Sequence, residues 1–201
     1  MSLRPGALLL AALVGLTSGC GATVPVAVTI PEPLVEALPL TVAVVYDQEF
    51  AKYTYTEKAP GTDWSINLGD STTSMFDRVL NKAFAKVVRL DAVPNGEPVA
   101  GVDLVLKPAV DEYAFLTPVD SGVDFYSVSI RFQVSAFAPN GAPLDQWDIN
   151  SYGRTRAKKL SAKDSLGMAT DLALRDAAAL MALDFKQRPQ ILALLPGTSG
   201  T

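Results

Sequence analysis

Between Tyr126 and Ala136 apolar and polar residues alternate without interruption. Tyr126, Val128, Ile130, Phe132, Val134 and Ala136 hold one parity, and Ser127, Ser129, Arg131, Gln133 and Ser135 hold the other. Successive side chains of an extended strand point to opposite faces, so the segment reads as a strand with one dry face and one wet face. A strand of that kind needs an apolar layer against one side and neighbours along its edges. The rest of the chain supplies both.

Residues 38–46 are rich in Val and Leu and carry no charge before Asp47, which suits a strand covered on both faces. Residues 48–69 place Tyr53, Tyr55 and Trp64 among polar residues around Pro60 and Gly61 and read as a loop with a short strand. The spacing of Phe76, Val79, Leu80, Ala83, Phe84 and Val87 predicts a helix over 71–87, with Asp70 or Ser71 as its cap. Residues 87–90 begin a second strand ahead of the Pro94, Asn95, Gly96 turn. Val102, Leu104, Leu106 and Val110 share one parity, and Pro108 among them marks an edge or a bulge. After the long alternating strand, Asn140 and Gly141 give a tight turn. The returning strand occupies 144–157, with a bulge or a late start where its parity shifts between Leu144 and Trp147. Ser161 caps a final helix that runs to about residue 186. Ala169, Ala173 and Ala177 recur every fourth place in it beside Leu166, Leu172, Leu180 and Leu183, and small residues there let the helix axis approach a sheet closely. Pro189 ends it, and an apolar tail over 192–195 folds back.

The order strand, helix, strand, three-stranded meander, helix predicts an α+β fold, a mostly antiparallel sheet of about four to five strands with two main helices packed on one face. Residues 40–201 are expected to form it as a single domain.

The amino terminus has a different character. A short start with one basic residue, Arg4, precedes an apolar run over 7–16 and then Thr17, Ser18, Gly19 and Cys20. Basic, apolar, then small is the pattern of an export signal. The apolar run is about half the ~20 residues a bilayer-spanning helix needs. From residue 21 to 39, Pro25, Pro31, Pro33 and Pro39 break an apolar stretch that reads as an extended tether, although the alternation of Val24, Val26, Val28 and Ile30 also suits an ordered arm along the domain. Loss of residues 1–19 leaves 16 Lys and Arg against 21 Asp and Glu, because Arg4 goes with them. A mildly acidic chain is not drawn wholesale to nucleic acid. With one cysteine in the chain there is no intramolecular disulfide, and stability rests on a packed core.

The absence of histidine excludes Ser-His-Asp and Cys-His catalysis and histidine metal sites. No nucleophile elbow, Ser-x-x-Lys dyad, phosphate loop or calcium loop occurs, and no cofactor or metal is expected. Asp111 and Glu112 are adjacent in a strand and are expected on opposite faces, while Asp120 and Asp124 flank Gly122 in a turn. Arg154, Arg156 and Lys158 recur every second residue. They form either a solvated rim or a docking strip for an anionic partner, an acidic protein face or a lipid headgroup. Tyr53, Tyr55 and Trp64 either make a protein contact site or fold down over the sheet.

Ser18, Gly19 and Cys20 resemble a bacterial lipobox, departing from it at Thr17, where the family usually has Leu. The resemblance implies a signal peptide over 1–19 and a membrane anchor at Cys20 carrying acyl chains such as palmitate. Gly21, in place of the Asp that retains such proteins at the inner membrane, implies an outer-membrane, periplasm-facing address. In layout the mature chain resembles small envelope lipoproteins with a TolB-amino-terminal-like or CsgG-like α/β module. The expected function is a non-enzymatic accessory or assembly subunit of an envelope or transport complex, held by its lipid and bound to an envelope protein partner. A carrier or sensor for a small amphiphile between sheet and helices is the alternative, and an enzyme working with carboxylates alone is a distant third.

Overall fold

The computed structural model describes residues 21–26, 35–59, 62–157 and 161–196. The chain passes through β1 (Gly21–Val24), β2 (Leu38–Val45), α1 (Gln48–Ala51), β3 (Thr54–Ala59), β4 (Thr62–Asn67), α2 (Gly69–Ala83), β5 (Phe84–Leu90), β6 (Leu104–Leu116), α3 (Pro118–Ser121), β7 (Phe125–Phe137), β8 (Pro143–Arg156), α4 (Ala162–Asp184) and α5 (Pro189–Leu192). A five-stranded sheet has the order β5-β2-β6-β7-β8, and a three-stranded sheet the order β1-β4-β3.

The expectation of one mostly antiparallel sheet is overturned: the eight described strands form two sheets, both mixed. β2 has parallel neighbours on both sides, β5 and β6, whereas β6-β7-β8 is an antiparallel meander. A helix-length connection returns the chain in its original direction, and α2 does this between β2 and β5. The uncharged run of β2 is what a strand buried on both faces requires, and Val42, Ala43 and Val44 are fully buried. The second sheet comes from the segment read as a loop, where β3 and β4 form an antiparallel hairpin. β1 then adds in parallel to β4, with Gly21 opposite Asp63 and Val24 opposite Ile66. The chain is thus paired from Gly21 onward within the segment expected as a tether, whose residues 27–34 lie outside the described part.

α2 starts and stops earlier than the spacing predicts, because Phe84 turns into the extended conformation and opens β5. Phe84 remains in the core, 5.1 Å from the Phe185 ring. α2, α4 and the smaller sheet share one core with the inner face of the large sheet, including Phe50, Phe76 and Phe132. Ring centroids in that cluster lie 5.4 Å apart for Phe50 and Phe76 and 5.6 Å for Phe76 and Phe132. Burying a side chain of this size contributes roughly 1.5–3 kcal/mol.

The alanine stripe of α4 is the closest seam. Ala169, Ala173 and Ala177 are fully buried. A Cβ on Gly153 of β8 would stand 2.1 Å from the Ala169 carbonyl oxygen and 2.3 Å from the Ala173 nitrogen. Because the small residues take the sheet contact, Leu172, Leu180 and Leu183 fall on the exposed flank and only Leu166 of the four expected leucines is buried. Ser161 accepts a hydrogen bond from the Asp164 amide at 3.2 Å and caps the helix as expected. The opposite side of β2 and β6 is covered by the connection after β5, with Val93, Val99 and Val102 against Ala43, Val45 and Val105. Among the described residues, no such layer covers the corresponding side of β7 and β8 beyond Phe137.

Candidate functional site

Inward and outward residues alternate along β8. Trp147, Ile149, Ser151, Gly153 and Thr155 are buried, and Gln146, Asp148, Asn150, Tyr152, Arg154 and Arg156 are exposed. Beside them stands the wet parity of β7, including Ser127, Ser129, Arg131 and Gln133, paired in register with Arg154, Tyr152, Asn150 and Asp148. The result is an open polar face of mixed short and long side chains. As the last strand of its sheet, β8 leaves one backbone edge without a neighbouring strand. The Asp176 carboxylate accepts the outward Tyr152 amide at 3.0 Å.

Arg131 gathers the two acids expected on opposite faces. Its Nε donates to Asp111 at 2.5 Å and its Nη2 lies 2.8 Å from Glu112. The expectation fails because the β6-β7 register shifts between Val110 and Glu112. A bulge puts two residues opposite one partner and sets neighbours on the same side. Pro108, read as an edge or bulge signal, sits past the β2 ladder, which ends at Leu106, so its missing N–H breaks no bond there.

At the far end of the meander the structure brings together residues that sequence spacing alone did not connect. The turn from β6 to β7 is held by Thr117 and Asp120. The Asp120 amide donates to Thr117 Oγ1 at 3.4 Å, and the Asp120 carboxylate accepts from the Thr117 amide and hydroxyl at 3.0 and 2.7 Å. Those donors hold the Asp120 carboxyl below its usual pKa. On this fixed turn Val119 is 92 % exposed, with Val123 at 56 % and Leu116 at 51 %. Beside it Arg154 lies 4.1 Å and Arg156 5.7 Å from the centre of the Phe125 ring. Among the described residues neither arginine pairs with a carboxylate. The only sequence signal for this cluster was the occurrence of Leu, Val and Val in a turn otherwise made of Thr, Pro, Asp, Ser and Gly.

The aromatic candidates lie elsewhere and mostly inward. Trp64 is 7 % exposed and meets the Phe115 ring at 5.6 Å. The Tyr55 ring lies tilted at 4.9 Å from that of Tyr113, and its hydroxyl donates to Glu57 at 2.6 Å. Partial burial and then that carboxylate push its phenol up to about 12. Tyr53 is half-buried against the same core. These rings fold down over the sheet, and Tyr113 beneath them is hydrogen-bonded to Thr170 at 2.8 Å. Cys20 and Lys158 lie outside the described residues.

Among the described residues few polar side chains are buried. The buried polar residues are Thr72, Ser151, Thr155, Ser165 and Thr170, with no acid among them. No group of three or more Cys, Asp or Glu there is placed to hold a metal ion. A groove of about 360 Å³ between β8 and α4, lined by Ile149, Leu180 and Leu183, is open to solvent and rimmed by Asp148 and Asp184. Arg188 engages Asp184 at 2.9 Å.

No family model matches the chain, and no curated protein matches it. Among solved structures it is similar to a protein from Xanthomonas campestris assigned to the family DUF330, at 12% identity and a TM-score of 0.51, over 84% of this chain and 99% of that one. The likeness is one of fold. It is also similar to the minor lipoprotein from Acinetobacter baumannii, at 7% identity and a TM-score of 0.44, over 79% of this chain and 96% of that one. Rare lipoprotein B from Shewanella oneidensis matches at 13% identity and a TM-score of 0.34, over 73% of this chain and 91% of that one. The TolB-amino-terminal-like or CsgG-like module expected from layout finds no support in these likenesses.

Proposed function

We propose that this chain is a non-enzymatic envelope lipoprotein, acylated at Cys20, held at the outer membrane facing the periplasm, and acting as an accessory or assembly subunit through protein contacts. The observation that carries the reading is the uncovered polar face of β7 and β8. It carries fixed charges such as the Asp111, Arg131 and Glu112 cluster. Orienting charges on a broad face give partner selectivity more than affinity. Confinement by a lipid raises the effective concentration of the face toward its neighbours, so a modest interface suffices. The open groove beside α4 lacks the enclosure a carrier of small amphiphiles needs.

The test is site-specific photocrosslinking in intact cells, with the reactive residue at Ser129 or Asn150 on the open face and at Ile130 inside the core as the control. The reading expects a discrete protein adduct from the face positions and none from Ile130. Absence of any adduct across the face defeats the accessory reading, and an intact-mass measurement showing a free Cys20 thiol defeats the anchor.

A further inference from the structure

We propose that the end of the molecule formed by the β6-β7 turn and the end of β8 rests on the bilayer surface, with Leu116, Val119 and Val123 entering among the headgroups and Arg154 and Arg156 meeting lipid phosphates. The proposal rests on the lipid-anchor reading above and specifies which surface the anchor brings to the membrane.

The argument is one of register. Trp64 of β4 meets Phe115 near the end of β6 at 5.6 Å, while Tyr55, opposite Ile66 on the β3-β4 ladder, lies nearer to Tyr113 two residues earlier, at 4.9 Å, than to Phe115, at 6.1 Å. Moving along β4 from Ile66 through Trp64 toward Asp63 therefore leads toward Leu116 and the turn beyond it. β1 follows the same ladder, with Val24 opposite Ile66, Ala22 opposite Trp64 and Gly21 opposite Asp63. Its other end is set against the second turn of α4, where a Cβ on Gly167 would stand 2.5 Å from the Pro25 carbonyl oxygen. Gly21 thus stands at the end of the molecule that carries α3. Cys20 is joined to it by one peptide unit, a Cα separation of about 3.8 Å. Since β1 is paired from its first residue, an acyl anchor at Cys20 has no free chain with which to hold this end away from the membrane.

What is exposed there fits a membrane surface. Three large apolar side chains project from a turn whose backbone is fixed by its own capping box. Apolar residues held in this way enter the headgroup layer without ordering a mobile loop first. The Asp120 charge is turned back onto the Thr117 amide and hydroxyl, whereas Arg154 and Arg156 have no carboxylate partner among the described residues. A cation near an anionic lipid surface contributes favourably, in addition to the lipid anchor.

The test uses the full acylated protein in vesicles of phosphatidylethanolamine with a minority of phosphatidylglycerol, their acyl chains brominated as a quencher. A single environment-sensitive fluorophore is placed through Val119→Cys, Val123→Cys or, in the β7-β8 turn at the opposite end, Asn140→Cys. Quenching several-fold greater at 119 and 123 than at 140, falling toward the 140 level when Arg154→Glu and Arg156→Glu are added, is the expected result. Equal, weak quenching at all three positions of a protein whose mass shows acylation overturns the membrane-facing end and leaves the anchor reading intact. Protection of position 119 in native envelopes but not in vesicles assigns the turn to a protein partner instead and likewise overturns it. A mass showing an unmodified Cys20 overturns the anchor reading and this proposal with it.

Discussion

β8 carries two faces that tolerate change very differently. Its inner face meets α4 at backbone distance, where Gly153 leaves room for Ala169 and Ala173 and no room for a further carbon. Its outer face carries Asp148, Asn150, Tyr152, Arg154 and Arg156 into solvent from the same backbone. Stability is concentrated on one side of a single strand, and the proposed function leaves recognition to the other. The sharpest way to break this contrast is Gly153→Val. Its Cβ meets backbone atoms, which cannot rotate away, so the helix must lift from the sheet. The expected loss is about 3 kcal/mol or more, read as a fall in the urea midpoint. An unchanged midpoint would show that the seam is looser than the contacts require.

A second substitution measures the inner side without moving the backbone. Tyr113→Phe removes the hydroxyl that faces Thr170, while Thr170 keeps its bond to the Leu166 carbonyl at 2.9 Å. The loss should be about 1 kcal/mol, the usual net value of one buried hydrogen bond. The outer side gives the complementary measurement. Arg131→Ala separates Asp111 from Glu112 on a surface where all three side chains are 40–53% exposed, and pairs this open to solvent contribute little to stability. The variant should unfold close to the wild-type midpoint yet lose crosslinked partner at Ser129. A large loss of stability with crosslinking retained would reverse the roles assigned to the two faces.

The difference between these faces was largely legible from residue order. The alternation over 126–136 gave the β7 burial pattern, and the meander around it followed from the turn residues. The alanine spacing of 169, 173 and 177 foretold a close helix contact, though not that Gly153 would be its counterpart, since nothing local links residues sixteen or more apart. The parallel pairing of β2 was written in its lack of charge and in the helix that follows it, yet strand direction is fixed by the connection and not by the strand. Three parts were not legible. The β3-β4 hairpin is short and polar outside, and Tyr55 and Trp64 meet their ring partners Tyr113 and Phe115 on a distant strand. The shared partner of Asp111 and Glu112 depends on a bulge, which overrides the alternation from which their separation was inferred. The cluster at Val119 has no periodicity at all and appears only when the ends of β6, β7 and β8 are brought level.

The smallest expected effect extends the same contrast to pH. Asp47 caps α1, accepting the Phe50 amide at 2.8 Å, and its carboxylate also pairs with Lys107 at 3.0 Å. The Phe50 amide above all, with Lys107 adding to it against partial desolvation, holds the Asp47 carboxyl below its ordinary 3.8. A depressed folded-state value means that the ionised form stabilises the fold: the contribution is fully present above the ordinary value and is lost as pH falls through the lowered one. Asp47→Asn keeps an oxygen for the Phe50 amide and removes only the charge, so the variant should lose at most several tenths of a kcal/mol at neutral pH. The gap in urea midpoint between wild type and variant should be constant from neutral pH down to about pH 5 and close below it, as the wild-type carboxylate takes up its proton. A gap that widens in acid would mean that the charge opposes folding at this exposed cap, and that surface charges in this protein do more for stability than the open side of β8 implies.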